Sequence, residues 1–274
     1  MPELPEVETI VADLRPHLTG RTIVRCALNF PSIVRHPEPE LFAESVAGMQ
    51  IVGVRRRGKY ILVDLPDGLL LVVHLGMTGH LRLVDADVAL EPHTHVIFTL
   101  DDGRQLRYHD PRRFGRLLLG TEESLLASRK LPRLGPEPVD PDFAAEALYR
   151  TLRKRRTALK AVLLDQTAIA GVGNIYADES LHRARLRPDR EAARISRRSA
   201  QRLHESLRHS LRVAIANRGS SVDTYRDAWG EMGRQQESLL VYGRAGKPCF
   251  TCGRPLTLIR LAGRSTVFCR RCQR

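Results

Sequence analysis

Residues 132–141 read Pro132-Arg133-Leu134-Gly135-Pro136-Glu137-Pro138-Val139-Asp140-Pro141, four prolines in ten positions. Proline fixes φ and has no N–H, so this stretch extends neither a helix nor a sheet interior. It reads as a linker, and the chain changes character across it. Before it, short apolar-rich runs follow one another at 51–54, 60–65, 69–74, 81–84, 96–100, 105–108 and 116–119. Turn signals such as Pro66-Asp67-Gly68 and Asp101-Asp102-Gly103 separate several of them. Many short strands without intervening helices argue for an antiparallel sandwich or barrel. One helix precedes them over 5–18, with Thr19-Gly20 as its stop. After the linker, helices are predicted over 143–152, 158–164, 175–183 and 196–216. In the last, Leu203, Leu207, Leu211 and Ile215 recur every four residues as a buried stripe. Its His204 and His209 are expected on solvent-facing or flanking positions. The partition is then 1–131 for the strand-rich domain, 132–141 for the linker, 142–239 for a helical domain ending in a long polar loop, and 240–274 for a cysteine-bearing hairpin.

The 274 residues carry a net charge of +13, unevenly placed. Residues 1–130 hold 16 Lys+Arg against 17 Asp+Glu, whereas residues 131–274 hold 28 against 14. A basic half on a neutral half points to a polyanion, nucleic acid first and an acidic membrane surface second. The longest apolar run, 69–73, is far too short to span a bilayer. The acidic N-terminus lacks the apolar segment of a secretory signal, so an intracellular, cytoplasmic protein is expected.

Four of the five cysteines form two pairs, Cys249/Cys252 and Cys269/Cys272, in the pattern C-x2-C-x16-C-x2-C. Two such knuckles at this separation close a tetrahedron of thiolates around one Zn²⁺. Two disulfides are the competing reading, disfavoured in a reducing compartment. Four protein ligands leave no open position, so the zinc is expected to be structural. Cys26, in the apolar run 23–28, is expected in the core.

Four further segments bear chemistry. The chain starts Met1-Pro2-Glu3-Leu4-Pro5-Glu6. Removal of Met1 gives Pro2 a free secondary amine beside the Glu3 carboxylate. An α-amine with a pKa of about 8 is partly unprotonated at neutral pH. A secondary amine that attacks an aldehyde-like carbon yields a permanently cationic iminium, an electron sink. The plainer reading is that Pro5 opens a helix, with Glu6 and Glu8 at its positive end. Arg55-Arg56-Arg57-Gly58-Lys59-Tyr60 reads as a solvated strand edge, or as a bend that turns the Lys59 amine inward to bind phosphate or transfer a proton. Gly171-Val172-Gly173-Asn174 leads into a helix and offers free N–H groups to an anion such as phosphate. Asp110-Pro111-Arg112-Arg113-Phe114-Gly115 joins two cations to an aromatic in a rigid turn. That suits a wedge between bases, or a hairpin corner with Phe114 in the core.

Together these strings resemble one family, the bacterial formamidopyrimidine-DNA glycosylases. The resemblance runs from Pro2 to Cys272 and rests on PELPEVET (2–9), RRGKY (56–60), HLGMTG (74–79), DPRRFG (110–115), LGPEP (134–138), GVGNIYADE (171–179), VYGR (241–244) and the terminal AGR…CxxC (262–272). It implies an α+β multidomain fold: an N-terminal helix plus antiparallel β-sandwich, then a helix–two-turn–helix domain with a β-hairpin zinc finger. It implies a monomer that flips an oxidised purine out of duplex DNA into a pocket between the two domains. Pro2 would be the nucleophile at C1′, Glu3 the acid–base group that opens the sugar, and Lys59 the proton donor in β-elimination. Arg264 would contact phosphate and serve δ-elimination. His93, Arg112, Arg156 and Asn174 would clamp phosphates, and Met77 and Phe114 would fill the gap left by the base. The segment near 219–225 would cover the base. A sister glycosylase acting on oxidised pyrimidines, of the endonuclease VIII type, would share Pro2, Glu3 and Lys59; the start and the Met77/Arg112/Phe114 trio favour the purine branch. A zinc-ribbon DNA-binding protein without chemistry would explain the charge and the cysteines, but gives no reason for the proline start.

Overall fold

A computed structural model describes residues 1–274. The chain divides into two compact units, 1–133 with 217–234 and 134–216 with 235–274. The first unit opens with helix α1 (Leu4–Leu18) and contains two sheets. One sheet has four strands, β1 (Ile23–Leu28), β7 (Thr94–Leu100), β8 (Gln105–His109) and β6 (His80–Val84), in that spatial order. The other has five, β2 (Val34–His36), β9 (Arg116–Thr121), β5 (Leu69–His74), β4 (Tyr60–Asp64) and β3 (Gly53–Arg57), again in spatial order. Alternating apolar residues of both sheets, such as Leu81, Phe98, Leu71 and Leu117, share one core with Ile10 and Leu14 of α1. Cys26 is half-buried against that core.

The structure departs from the sequence-based elements in several places. Helix α2 (Pro39–Val46) interrupts the strand region. Only Phe42 and Val46 are buried on it, too few to show a helical period in the sequence. Strand β3 runs through Arg55-Arg56-Arg57, beyond the apolar stretch that suggested it. It is an edge strand, where cations replace a second buried face and discourage further pairing. Strand β2 pairs with β9 in parallel, so the sheet is not purely antiparallel. Finally, residues 217–234 fold with the first unit, not with the helices that precede them. Arg218 pairs with Asp13 of α1 at 2.7 Å, and the Leu83 N–H of β6 donates to the Ala228 carbonyl at 3.3 Å.

A short helix, α3 (Glu122–Ala127), follows β9 and ends the strand region. The second unit carries α4 (Ala145–Arg153), α5 (Leu159–Leu164), α6 (Asn174–Arg183) and α7 (Arg197–Ala216), then the hairpin β10 (Thr257–Leu261) and β11 (Arg264–Phe268). The leucine stripe of α7 is buried at Leu203, Leu207 and Leu211, as its spacing predicts. His209 is not buried, but His204 is, with Nε2 2.6 Å from the Phe143 carbonyl. A polar ring on a buried face is tolerated there because that carbonyl partners it. No helix is long and apolar enough to cross a membrane.

Candidate functional site

The first unit places Pro2 and Glu3 at the start of α1, both buried, Glu3 only 2 % exposed. A reciprocal capping box holds them. The Glu3 side chain accepts from the Glu6 N–H, and the Glu3 N–H donates to Glu6 Oε2 at 2.8 Å. The other Glu6 oxygen accepts from the Ser220 N–H at 2.7 Å, and the Tyr225 hydroxyl donates to the Glu6 carbonyl at 3.3 Å. One buried carboxylate thus joins the segment of Pro2 to the 219–225 loop. Gly219 makes that approach possible: its φ is +78°, and a Cβ there would lie 2.9 Å from Glu6 Cγ. Glu6 is a site residue that the sequence pattern alone did not single out.

Lys59 sits at the β3–β4 turn, after Gly58 with φ +58°, and is only 5 % exposed. The turn is tied to α1 by Arg56, whose Nε lies 2.6 Å from Glu8 Oε2. Across the sheet, Tyr60 pairs with His74 and His74 with Arg116. The Arg116 guanidinium donates to the Tyr60 hydroxyl at 2.5 Å. Burial, then the charges of Arg116 and Lys59, push the His74 pKa down to about 4. Neutral His74 accepts from the Gly76 N–H at 3.2 Å through Nδ1. Lys59 therefore stands near a neutral ring, not an imidazolium.

The residues after His74 form the loop that bears Met77. It is bound to the 110–115 turn by Asp110, which is fully buried. Asp110 accepts from Thr78 Oγ1 at 2.6 Å, from the Gly115 N–H at 2.8 Å, and from the Arg112 N–H and the Tyr108 hydroxyl, each at 3.3 Å. Its own N–H donates to the His93 carbonyl at 3.1 Å, and its carbonyl lies 2.8 Å from His95 Nε2. The loops touch through glycine: a Cβ on Gly76, where φ is +64°, would lie 2.5 Å from the Gly115 nitrogen. Around this hub Met77 is half-buried, while His93, Arg112 and Phe114 are exposed. Phe114 is 55 % exposed, which removes the core reading of that side chain. The Arg112 guanidinium stacks 4.7 Å from the Phe114 ring centroid.

In the second unit, Cys249, Cys252, Cys269 and Cys272 bring their sulfurs within 4.8 Å of one another. The Cys249–Cys272 and Cys252–Cys269 sulfurs are 3.9 and 3.5 Å apart. Four thiolates about 2.3 Å from one Zn²⁺ lie about 3.8 Å from each other, so the set fits a tetrahedral zinc. Disulfide sulfurs would lie about 2.05 Å apart, and all five cysteines are free. His182 of α6 lies 3.7 Å from Cys249 Sγ through Nε2 and supports the site from outside. Arg264 begins β11 and is exposed, as is Arg156 before α5; neither carries an ion pair. Asn174 opens α6 after the N-cap Gly173 and donates through Nδ2 to the Ser265 carbonyl at 3.1 Å.

Models of three protein families match this chain: the formamidopyrimidine-DNA glycosylase N-terminal domain over 1–117, the formamidopyrimidine-DNA glycosylase H2TH domain over 134–226, and the zinc finger found in FPG and IleRS over 246–274. The chain belongs to the formamidopyrimidine-DNA glycosylase family. Among its relatives are the formamidopyrimidine-DNA glycosylases of Desulforamulus reducens, 47 % identical over 100 % of this chain and 99 % of that one, and of Geobacillus kaustophilus, 46 % identical over all of both. Among solved structures, a Lactococcus lactis FPG mutant complexed with Fapy-dG-containing DNA superposes with a TM-score of 0.92 at 37 % identity, covering all of both chains. The MutM (FPG) protein of Thermus thermophilus superposes with a TM-score of 0.89 at 43 % identity, covering 99 % of this chain and 98 % of that one. As a member of this family, the chain is a base-excision-repair glycosylase with abasic-site lyase activity, and its four cysteines suit one structural zinc.

Proposed function

We propose that this enzyme excises oxidised purines from duplex DNA, 8-oxoguanine and formamidopyrimidines among them, through a covalent intermediate on Pro2. With Met1 removed, the Pro2 lone pair attacks C1′. The glycosidic C–N bond breaks, and the base leaves with that electron pair and a proton. Glu3 gives a proton to the ring oxygen as the C1′–O4′ bond opens, leaving a C1′ iminium. Loss of a C2′ proton then expels the 3′ phosphate, with Lys59 as proton donor. Loss of a C4′ proton expels the 5′ phosphate, with Arg264 serving that second elimination. His93, Arg112, Arg156 and Asn174 hold phosphates, and Met77 and Phe114 fill the vacated stack. The enzyme acts as a monomer in the bacterial cytoplasm.

One observation carries this reading: the Glu6 carboxylate anchors the backbone beside Pro2 while it receives the loop that follows Gly219. A plain helix start needs the capping box but not that second bond. Borohydride trapping tests it, because reduction of the iminium fixes the protein to DNA. The mature protein should be trapped on duplex bearing 8-oxoguanine and poorly on one bearing an oxidised pyrimidine. Protein with an uncleaved N-terminal extension should not be trapped, and full trapping by it would remove Pro2 from the mechanism.

A further inference from the structure

The basic second unit buries one ion pair that the reaction above does not use. Lys160 of α5 and Asp178 of α6 meet at 2.6 Å, both side chains sealed from solvent. Lys160 Nζ also donates to Thr266 Oγ1 at 2.8 Å and to the Ser265 carbonyl at 3.1 Å. The other Asp178 oxygen accepts from the Val267 N–H at 3.0 Å. Three consecutive residues of β11 are therefore held by one lysine and one aspartate. Arg264 immediately precedes these three and follows the turn Ala262-Gly263, where φ is +48° and +71°.

Stability alone does not account for this arrangement. A buried ion pair is often neutral or unfavourable against apolar residues of the same volume, because both ions lose their hydration. What it supplies is direction. It fixes strand register and height against two helices, one of which begins at Asn174. A strand advances about 3.3 Å per residue, so the anchored backbone lies within roughly 10 Å of the Arg264 Cα. Asn174 Nδ2 shares the Ser265 carbonyl with Lys160, so a phosphate-clamp residue converges on the same carbonyl.

We propose that Lys160 and Asp178 are positioning residues that set the reach of Arg264 for the second elimination. This rests on the reading of Arg264 given above. The test uses full-length, zinc-loaded protein and duplex with one abasic site, and measures the ratio of δ- to β-elimination product. Arg264→Ala sets the ratio that loss of the arginine produces. Asp178→Asn should lower the ratio about tenfold, retain one zinc per chain, and keep borohydride trapping within twofold. Lys160→Gln with Asp178→Asn, a neutral pair able to hydrogen bond, should recover much of the ratio. Thr266→Val, a milder change, should lower it by a smaller factor and reads the same quantity if Asp178→Asn does not fold. A wild-type ratio in Asp178→Asn and Thr266→Val, with the ratio lost in Arg264→Ala, overturns the inference alone. A wild-type ratio in Arg264→Ala overturns the role of Arg264 and this inference with it. Loss of zinc and trapping in parallel with the ratio would reduce the pair to a folding element and also overturn it.

Discussion

Asp110 offers the sharpest test of the wedge proposed for Met77 and Phe114. Four donors converge on its carboxylate, and two of them, the Gly115 and Arg112 N–H groups, belong to the turn that presents Phe114. Asp110→Asn keeps the shape and removes the charge. The best amide orientation keeps its oxygen toward Gly115 and Tyr108 and turns its NH2 toward Thr78 Oγ1, which must then accept. Hydrogen bonds to a charged group contribute about 1.5–3 kcal/mol against about 0.5–1.5 for neutral ones. Weakening two or three of them predicts a loss of about 2–3 kcal/mol. Asp110→Ala strands the Gly115 N–H in the interior and leaves a small void, so about 4–6 kcal/mol is expected. Urea unfolding measures both. The wedge should suffer beyond this global loss, because the freed turn no longer fixes Phe114 and Arg112. Asp110→Asn should therefore slow 8-oxoguanine excision from intact duplex at least about tenfold more than cleavage at a preformed abasic site, where little extrusion is needed. Unchanged stability, or equal slowing on both substrates, would refute the reasoning.

Three further outcomes follow from the geometry. Phe114→Ala, a change at a largely exposed ring, should leave the melting temperature within a degree or two while selectively slowing excision from intact duplex; Met77→Ala should share the selectivity. Cys252→Ser should release zinc, seen by metal analysis, and weaken DNA binding while the first unit stays folded, since structural zinc contributes on the order of 10 kcal/mol to such a finger. His74 has a folded pKa of about 4, below its unfolded value of about 6.5, so the stability it contributes is full above pH 6.5 and lost as pH falls through 4. His74→Gln should flatten the fall of the urea midpoint between those values, and an unchanged pH profile would show that the ring is not held neutral.

Much of the candidate site could be proposed from the sequence because its residues sit in short strings. Pro2 and Glu3 are adjacent, the cysteine knuckles are two residues wide, and Arg112 and Phe114 share one turn. The supporting residues were not legible, because their partners lie far along the chain. Glu6 and Ser220 are 214 positions apart, and Lys160 and Thr266 are 106. An acidic residue in a helix reads as a solvated face until its burial is known, and so Glu6 reads only as a charge at the helix end, and Asp178 and Glu179 only as part of a string. Glu179 shows the point plainly: it takes the N–H groups of Leu240, Val241 and Tyr242, all at 2.9 Å, and so secures the VYGR segment. Helix α2 escaped for a local reason, having two buried residues and no visible period.

Charge counting leaves the distribution within the neutral half unread for a related reason. The balance of 16 cations against 17 anions over 1–130 says nothing of where those charges stand. In the structure several acids of the first unit are paired: Arg56 meets Glu8, Arg82 meets Glu91, Arg104 meets Asp102, and Arg218 meets Asp13 and Asp227. The exposed ones among such pairs add little stability, about 0–1 kcal/mol each, but a pair cancels charge in the local field. Arg112 and Arg113 take no part in them. They stack instead on Phe114 and Phe30, with no acidic partner. A unit with no net charge can therefore still present two unpaired cations on the turn that carries Phe114, because the local sign depends on where the charges stand rather than on how many there are.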